Sequence, residues 1–193
     1  MNDRIDETRT FVPVRIAVLT ISDTRSLESD TSGDILTERI KAAGHELADR
    51  TIVQDDQIMI AEQVRRWLAE KTVDVIITTG GTGLTGRDVT VEAIRPLFEK
   101  EIDGFSVLFH RLSFEKIGTS TVQSRACAGV ASGTFIFCLP GSPGAVKDGW
   151  DGILKAQLDA RHRPCNFVEI MPRLQEHVPR LIASVRRFSA VPA

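Results

Sequence analysis

The sequence predicts an α/β fold, a three-layer α/β/α sandwich with a mostly parallel central sheet. Short apolar segments that are rich in β-branched residues alternate with amphipathic segments, and the connections between them are short. Such alternation is typical of parallel strands that are joined by right-handed helical crossovers. The apolar residues of segment 73–79 in particular are typical of a strand that is buried on both faces of such a sheet.

The strands are predicted where a short apolar run is bounded by polar or glycine residues. They cover residues 14–21, 45–53, 73–79 and 134–139, of which 45–53 is the weakest. Helices are predicted where apolar residues recur at the spacing of one helical face. They cover residues 35–43, 56–71, a segment that begins near 90, 105–117, 143–158 and 174–185. Gly44 ends the first helix, and Ser142 with Pro143 begins the fifth as its N-cap and first helical residue.

The 193-residue chain is predicted to form a single domain over residues 13–170, since no Pro-, Gly- or Ser-rich linker and no internal repeat divides it. Residues 1–12 are polar and are predicted to be a flexible arm. Residues 171–193 are predicted to be a C-terminal extension whose helix docks on this domain or on a neighbouring subunit.

The composition excludes several classes of protein. A formal net charge of −2 argues against a general nucleic-acid-binding protein, which usually carries a basic excess. No apolar run approaches the roughly 18 residues of a membrane span, and the N-terminus lacks the apolar core of a signal peptide. Cys127, Cys138 and Cys165 are odd in number and far apart, which predicts reduced thiols rather than a disulfide framework or a zinc site. We therefore expect a cytoplasmic protein that binds neither nucleic acid nor membranes.

Polar or glycine-rich segments follow every predicted strand, at the edge where the loops of a parallel sheet form a ligand site. The candidate residues are Ser22 after the first strand, Asp55 after the second, Gly80, Gly81, Thr82, Gly83, Arg87 and Asp88 after the third, and Pro140, Gly141 and Ser142 after the fourth. This convergence indicates a binding site more strongly than any single motif does.

Several candidates also have a purely structural interpretation. The glycine loop could form only a tight turn. Asp56 is predicted to be the N-cap of the helix that follows it, which leaves Asp55 to face the cleft. Thr90 is predicted to be an N-cap in the same way, which leaves Asp88 in the preceding loop. Arg87 is either a solvated side chain or a phosphate partner.

The residue types at these positions favour a phosphorylated ligand. Two carboxylates without His or Cys partners do not suggest zinc, whereas Mg²⁺ is usually held by one or two carboxylates together with substrate phosphates. A glycine loop, an arginine and the helix N-terminus at Ser142 supply the contacts that phosphate needs. The loop lacks the lysine of a P-loop. The letters Gly81-x-Gly83-x-x-Gly86 follow the third strand rather than the first, which argues against a dinucleotide site.

Four segments together resemble the MogA/MoaB family of molybdenum-cofactor biosynthesis. They are TTGGTGLTGRDVTVEA (78–93), FEKIGTSTVQSRACAGV (114–130), LPGSPGAV (139–146) and LDARHRPCNF (158–167), and the last of them and the SFEKIGTST run resemble the B type. The resemblance covers about residues 14–167. It implies a molybdopterin-binding α/β fold that assembles as homotrimers or homohexamers.

The resemblance also implies an activity, molybdopterin adenylyltransferase, in which ATP and molybdopterin give adenylyl-molybdopterin and pyrophosphate. The family's two important aspartates match Asp55 and Asp88, which we expect to be catalytic and to hold Mg²⁺. Substrate contacts are expected from Ser22, from the loop Gly80–Gly81–Thr82–Gly83, from Arg87 and Thr90, and from Pro140, Gly141 and Ser142. A molybdate-inserting enzyme of the same pathway is an expected partner.

An alternative interpretation is a non-catalytic molybdopterin-binding paralogue that acts as a carrier or scaffold in the same pathway. Some B-type proteins have lost the RD pattern, whereas this chain retains Arg87-Asp88, which favours an active enzyme. One departure from the family is Val91, where Pro is frequent. It affects only how the first helical turn is pre-set.

Overall fold

A six-stranded sheet forms the middle layer of the computed structural model, which describes residues 4–176. Its strands are β1 (Arg15–Ile21), β2 (Glu46–Val53), β3 (Val75–Thr79), β4 (Lys100–Glu101), β5 (Cys127–Ala131) and β6 (Thr134–Leu139). The strand order is β2-β1-β3-β6-β5-β4. Strands β2, β1, β3 and β6 are parallel to one another, and β5 runs antiparallel to both of its neighbours, β6 and β4. The predicted α/β fold with a mostly parallel sheet is confirmed.

Helices cover both faces of this sheet. They are α1 (Thr31–Ala42), α2 (Gln57–Glu70), α3 (Thr90–Ile94), α4 (Asp103–Ile117), α5 (Pro143–Gly149), α6 (Lys155–Gln157) and α7 (Phe167–Ile170). A π-helical turn, Trp150–Leu154, joins α5 to α6, so the predicted helix over 143–158 is a continuous helical run with an irregular centre.

The core is divided by the sheet into two apolar layers, as the sandwich requires. One layer contains side chains of α1, α4, α5 and the π-helical turn, among them Leu36, Phe105 and Trp150, against β1, β3 and β6. The other contains side chains of α2 and α3, among them Trp67, against the opposite face of the same strands. The central strands are therefore buried on both faces, which explains their uninterrupted apolar side chains.

The order of the strands places a switch point between β1 and β3. The chain leaves β1 towards β2 on one side, and returns through α2 to β3 on the other side of β1. Loops at the carboxyl ends of β1 and β3 therefore diverge and leave a crevice between them, which is where ligands bind in open α/β sheets. The loops that follow these two strands contain Ser22 and Gly80.

Strands β4 and β5, the first turn of α1 and helix α7 were not predicted. β5 consists of the small residues CAGVA, and Gly129 within it leaves room for the Phe98 ring, since a Cβ there would lie 2.3 Å from Phe98 Cγ. Glycine weakens a strand pattern, so β5 forms through its pairing with β6 rather than from its own propensity. Helix α1 begins at Thr31 rather than near 35, because the Asp30 carboxylate accepts a hydrogen bond from Gly33 N–H at 2.9 Å and caps it.

The described part of the N-terminal segment is docked on the domain, in contrast to the flexible arm expected from its polar sequence. Ile5 pairs with His162 in an antiparallel bridge, and Asp6 N–H donates to the Arg161 carbonyl at 3.0 Å. The Asp6 carboxylate also pairs with Arg163 at 3.2 Å. At the other end, a short 3₁₀ turn follows α7, and the helix predicted over 174–185 lies mostly outside the described residues.

None of the helices in residues 4–176 has the length and apolar character needed to cross a membrane.

The cysteines of the described residues are free thiols. Cys127 and Cys138 lie opposite each other on β5 and β6, although 10 residues separate them in the chain. Cys165 is exposed.

Helix α5 offers a direct test of its packing on β6. A Cβ at Gly149 would lie 2.5 Å from Cδ2 of the buried Leu139, whereas a Cβ at Gly144 of the same helix meets nothing within 4 Å. We expect Gly149→Ala to lower the free energy of unfolding by about 1–3 kcal/mol through overpacking. Gly144→Ala, the matched control, should leave it unchanged or raise it by up to about 1 kcal/mol. Urea denaturation measures both, and equal effects would contradict this packing.

Candidate functional site

The candidate site is built around a close approach of three backbones at Gly80. This residue has a φ of +107°, and a Cβ there would lie 2.2 Å from the Ile21 carbonyl oxygen. Its N–H donates to the Leu139 carbonyl at 3.1 Å. Only glycine fits this position, because it tolerates the positive φ and lets β3 end directly against β1 and β6. The loops after these three strands are therefore brought together.

The next glycine brings the second strand into the site. Gly81 has a φ of +62°, and a Cβ there would lie 2.3 Å from Thr90 Oγ1 and 3.0 Å from Asp55 Oδ1. The Asp55 carboxylate, which follows β2, thus lies beside Gly81, in space that a side chain at this position would occupy. The loops that follow the four parallel strands therefore lie close together at one edge of the sheet.

Asp23 links the loops on the two sides of the crevice. Its Oδ1 accepts a hydrogen bond from Asp55 N–H at 3.2 Å, and its Oδ2 accepts one from Arg87 Nε at 3.0 Å. Arg87 therefore reaches from the loop after β3 to the loop after β1. The sequence does not indicate this role of Asp23, because nothing in its immediate neighbours points to a partner 64 residues away.

The two catalytic candidates have different electrostatic surroundings. Burial and the negative charge of Asp23 raise the pKa of Asp55, and Asp88 adds to the rise, while Arg87 opposes it. Burial also acts to raise the pKa of Asp88, but hydrogen bonds from Thr85 and the charge of Arg125 outweigh it, so this pKa is lowered. The Asp88 Oδ2 accepts from Thr85 N–H at 2.8 Å and from Thr85 Oγ1 at 2.6 Å.

Serine hydroxyls and a polar cavity complete the cleft. Ser22 Oγ accepts hydrogen bonds from the N–H groups of Thr24 and Arg25, each at 3.2 Å. Ser142 Oγ accepts from Ala145 N–H at 3.2 Å, which confirms Ser142 as the N-cap of α5. A polar cavity of about 290 Å³ lies between the loops after β1 and β6, and Ser22 and Gly141 are among its lining residues.

The carbonyls of the Pro140–Ser142 loop are tied to neighbouring elements. Ser32 Oγ at the start of α1 donates to the Gly141 carbonyl at 2.8 Å. Thr79 Oγ1 at the end of β3 donates to the Pro140 carbonyl at 3.0 Å. The loop after β6 is therefore held against the start of α1 and the end of β3 by the hydroxyls of two buried residues.

The structure corrects the interpretation of Thr90. It is the first residue of α3 rather than the N-cap, which is Val89, and its side chain is fully buried. Its hydroxyl donates to the Gly80 carbonyl at 2.8 Å, and its N–H donates to the Gly81 carbonyl at 3.0 Å. Thr90 supports the glycine loop from below and is not part of the cleft surface. Thr82 is buried as well.

The N-cap predicted for α2, Asp56, is confirmed. Its carboxylate accepts hydrogen bonds from two backbone amides at 2.9 Å.

The model of the "Probable molybdopterin binding domain" family matches residues 17–160. The chain belongs to this family. It is 52% identical over 157 residues to "Molybdenum cofactor biosynthesis protein B" of Escherichia coli K12, covering 81% of this chain and 92% of that one. It is 47% identical over 149 residues to the protein of the same name in Staphylococcus aureus COL, covering 76% and 88%.

A solved structure gives the same result for the fold. The "Crystal structure of Molybdenum cofactor biosynthesis protein B" is 38% identical to this chain, with a TM-score of 0.78 over 88% of this chain and 100% of that one. The resemblance to the MogA/MoaB proteins that the sequence motifs indicated is confirmed. Within this molybdopterin-binding domain, the glycine loop, the two aspartates and the Ser142 loop are the features that a phosphorylated ligand requires.

The carboxylates of this domain fit a hard divalent cation. Asp55 and Asp88 offer only oxygen donors, and burial and Asp23 raise the pKa of Asp55, so a positive charge beside this carboxylate would stabilise its ionised form. Among residues 4–176, no cluster of three or more His, Cys, Asp or Glu side chains is placed to hold a metal ion. A site of two carboxylates suits Mg²⁺, which takes its remaining ligands from water and substrate phosphates.

The unfavourable environment of Asp55 has a consequence for stability. We expect Asp55→Asn to raise the free energy of unfolding at pH 7 by less than about 1 kcal/mol, or ~2 °C in Tm, because it removes a charge that burial and Asp23 disfavour. A raised pKa in the folded state means that the penalty is absent when Asp55 is protonated. The gain should therefore shrink as the pH falls through the raised pKa towards the ordinary value of 3.8.

The neighbouring residue provides the control for this experiment. Asp56→Asn keeps an N-cap of nearly equal quality, so it should change the stability little at any pH. The melting temperatures of the two variants are compared between about pH 4.5 and pH 8, roughly the range in which the fold is expected to persist. A loss of stability in Asp55→Asn at pH 7 would contradict the electrostatic assignment.

Proposed function

We propose that this protein acts in molybdenum cofactor biosynthesis as a molybdopterin adenylyltransferase, which transfers AMP from ATP to molybdopterin and releases pyrophosphate. Its relatives are named for that pathway. The observation that carries the proposal is the position of Asp55, whose carboxylate lies beside Gly81 of the same glycine loop that continues to Asp88. Two carboxylates beside a glycine loop suit a triphosphate with its metal ion.

The reaction requires positioning and charge neutralisation more than covalent help. An oxygen of the terminal phosphate of molybdopterin forms a bond to the α-phosphorus of ATP, and the bond from that phosphorus to the pyrophosphate oxygen breaks. Asp55 and Asp88 would hold Mg²⁺, which neutralises phosphate charge when it is bound. Asp88 is suited to this role at neutral pH, because its hydrogen bonds from Thr85 lower its pKa and keep it ionised.

The remaining residues of the cleft bind and orient the substrates. The Gly80 N–H is already bonded to Leu139 and Thr82 is buried, so we assign the phosphate or pterin contact of this loop to the amide of Gly81. Ser22 Oγ already accepts two amide hydrogens, so its own O–H is the group left to donate to a ligand oxygen. Ser142 at the start of α5 serves the nucleotide or a phosphate.

Arg87 is the mobile cation of the proposed site. Its side chain is 66% exposed, and its only ion pair within the described residues is with Asp23, which is 36% exposed. Exposed ion pairs of this kind contribute little to stability. Arg87 can therefore leave Asp23 for a substrate phosphate at small cost, and the guanidinium can bind that phosphate through two N–H groups.

Self-association is part of the proposal, as a homotrimer or homohexamer in the cytoplasm that passes its product to the molybdate-inserting enzyme. Helix α4 supports self-association, because several of its apolar side chains face outwards. Val107, Phe114 and Ile117 are 70%, 57% and 56% exposed. Apolar patches of this kind on a folded domain commonly mark protein–protein contacts.

The activity is tested by incubating the protein with molybdopterin, ATP and Mg²⁺ and measuring adenylyl-molybdopterin by chromatography. We expect Asp88→Asn to lower the rate at least about 100-fold, because it removes a metal-binding charge but keeps an oxygen that accepts from Thr85. Asp55→Asn should have an effect of similar size. Asp56→Asn, which changes a carboxylate that only caps α2, should retain the wild-type rate within about 2-fold.

Two results would contradict parts of this proposal. Undiminished product formation by Asp88→Asn would exclude its catalytic role. A wild-type protein that binds molybdopterin but forms no adenylylated product with Mg²⁺ and ATP would instead support the non-catalytic carrier or scaffold in the same pathway.

A further inference from the structure

One conspicuous motif has no role in the site described above. The segment QSRACAG is part of the sequence resemblance, and its arginine, Arg125, lies two residues before β5. It does not follow any of the parallel strands, and it lies 37 residues beyond Asp88 in the chain. The side chain is nevertheless half-buried, with 27% exposed, and it points at the loop between β3 and α3.

Arg125 binds this loop at three points. Its Nε donates to the Gly83 carbonyl at 2.7 Å, and its Nη2 donates to the Asp88 carbonyl at 2.8 Å. Its backbone N–H donates to the Thr82 carbonyl at 3.0 Å. The guanidinium therefore bridges the two ends of the exposed segment 84–87, whose length would otherwise leave Asp88 free to move.

Glu92 orients the guanidinium from the other side. Its carboxylate pairs with Arg125 Nη1 and accepts from Nη2 at 3.2 Å. Four of the five N–H donors of the guanidinium are thus used within the protein. Gln57 Nε2 in turn donates to the Glu92 carbonyl at 3.1 Å, which connects α3 to the start of α2.

We propose that Arg125 is a positioning residue for adenylyl transfer, which holds the Asp88 carboxylate in place through the carbonyls of Gly83 and Asp88. This inference rests on the proposed function. Because its donors are used, Arg125 acts through the loop and does not itself bind the phosphates. A displacement of about 1 Å at a reacting centre can cost about 100-fold in rate, so a loop that carries a metal-binding carboxylate needs such a tie.

A second arginine in the same region provides a matched control. Arg95 pairs with Glu101 at 2.8 Å, and it lies one residue beyond α3. Its ion pair joins two surface elements and does not involve the glycine loop or Asp88. Removal of Arg95 therefore changes the net charge and deletes an ion pair in the same way, without releasing the loop.

The experiment compares Arg125→Ala, Arg125→Lys and Arg95→Ala in the full-length protein. We expect Arg125→Ala to lower kcat about 100-fold while changing KM for molybdopterin less than about 3-fold, since the loop geometry and not the binding of the pterin is lost. The Mg²⁺ concentration for half-maximal activity should rise about 10-fold, because Asp88 is misplaced. Arg125→Lys should recover part of kcat only, because an ammonium cannot bridge two carbonyls and a carboxylate as a planar guanidinium does.

Hydrogen exchange measured on the same variants does not depend on the activity. Peptides that cover residues 80–92 should exchange at least about 10-fold faster in Arg125→Ala than in the wild type, and exchange elsewhere should be unchanged. Arg95→Ala should behave as the wild type in both measurements. If Arg125→Ala fails to fold, Arg125→Lys and Glu92→Gln are compared with Arg95→Ala in the same two measurements, and the expected effects are smaller.

The outcomes separate this inference from the proposed function. A wild-type protein without adenylyltransferase activity refutes the function, and the exchange of residues 80–92 then decides whether Arg125 holds the loop. An active wild type with Arg125→Ala equal to Arg95→Ala in kcat and in Mg²⁺ requirement overturns the positioning role. Slower turnover with unchanged Mg²⁺ requirement and unchanged loop exchange also overturns it, because the effect would not pass through Asp88.

Discussion

The close approach of three strand ends at Gly80 is the constraint on which the rest of this structure depends. A side chain at that position would overlap the Ile21 carbonyl oxygen, with a Cβ at 2.2 Å. A larger residue would therefore separate β3 from β1 and widen the crevice at the switch point of the sheet. Gly81 repeats the constraint towards Asp55 and Thr90, with Cβ distances of 3.0 and 2.3 Å. The missing side chains allow the carboxylate of one loop to reach the backbone of another.

The charges of the cleft are arranged so that the two aspartates behave differently. Asp88 accepts two hydrogen bonds from Thr85 and has a lowered pKa, whereas burial and Asp23 raise the pKa of Asp55. The surroundings thus favour the ionised form of Asp88 and oppose that of Asp55, so a cation beside Asp55 would offset an unfavourable environment. Stability and function oppose each other at Asp55, which is common where a site must bind a charged ligand.

Most of the fold and the positions of Asp55 and Asp88 follow from local sequence signals. Buried β-branched strands and helix caps such as Asp56 are local features, and the carboxyl-end rule converts strand ends into a site. β5 has no such signal, because its small residues pack under Phe98 only in the folded sheet. Asp23 and Arg125 bind partners that are 32 to 64 residues away, and a single sequence does not indicate such pairs. For Thr90 a local signal was misleading: the sequence predicts a helix N-cap, whereas its hydroxyl binds the Gly80 carbonyl of the glycine loop.

Several of the contacts that the sequence does not indicate have a common form: a side-chain donor binds a backbone carbonyl of a cleft loop. The pairs are Thr90 with Gly80, Arg125 with Gly83 and Asp88, Thr79 with Pro140, and Ser32 with Gly141. A carbonyl oxygen carries partial negative charge and repels phosphate unless a donor satisfies it. Tying these oxygens to the protein removes that repulsion and leaves N–H groups as the polar groups available to an anion, as in other backbone anion sites. The bonds that hold the loops therefore also reduce the repulsion that the proposed phosphate ligand would meet, so one set of contacts would support both the shape of the site and its preference for an anion.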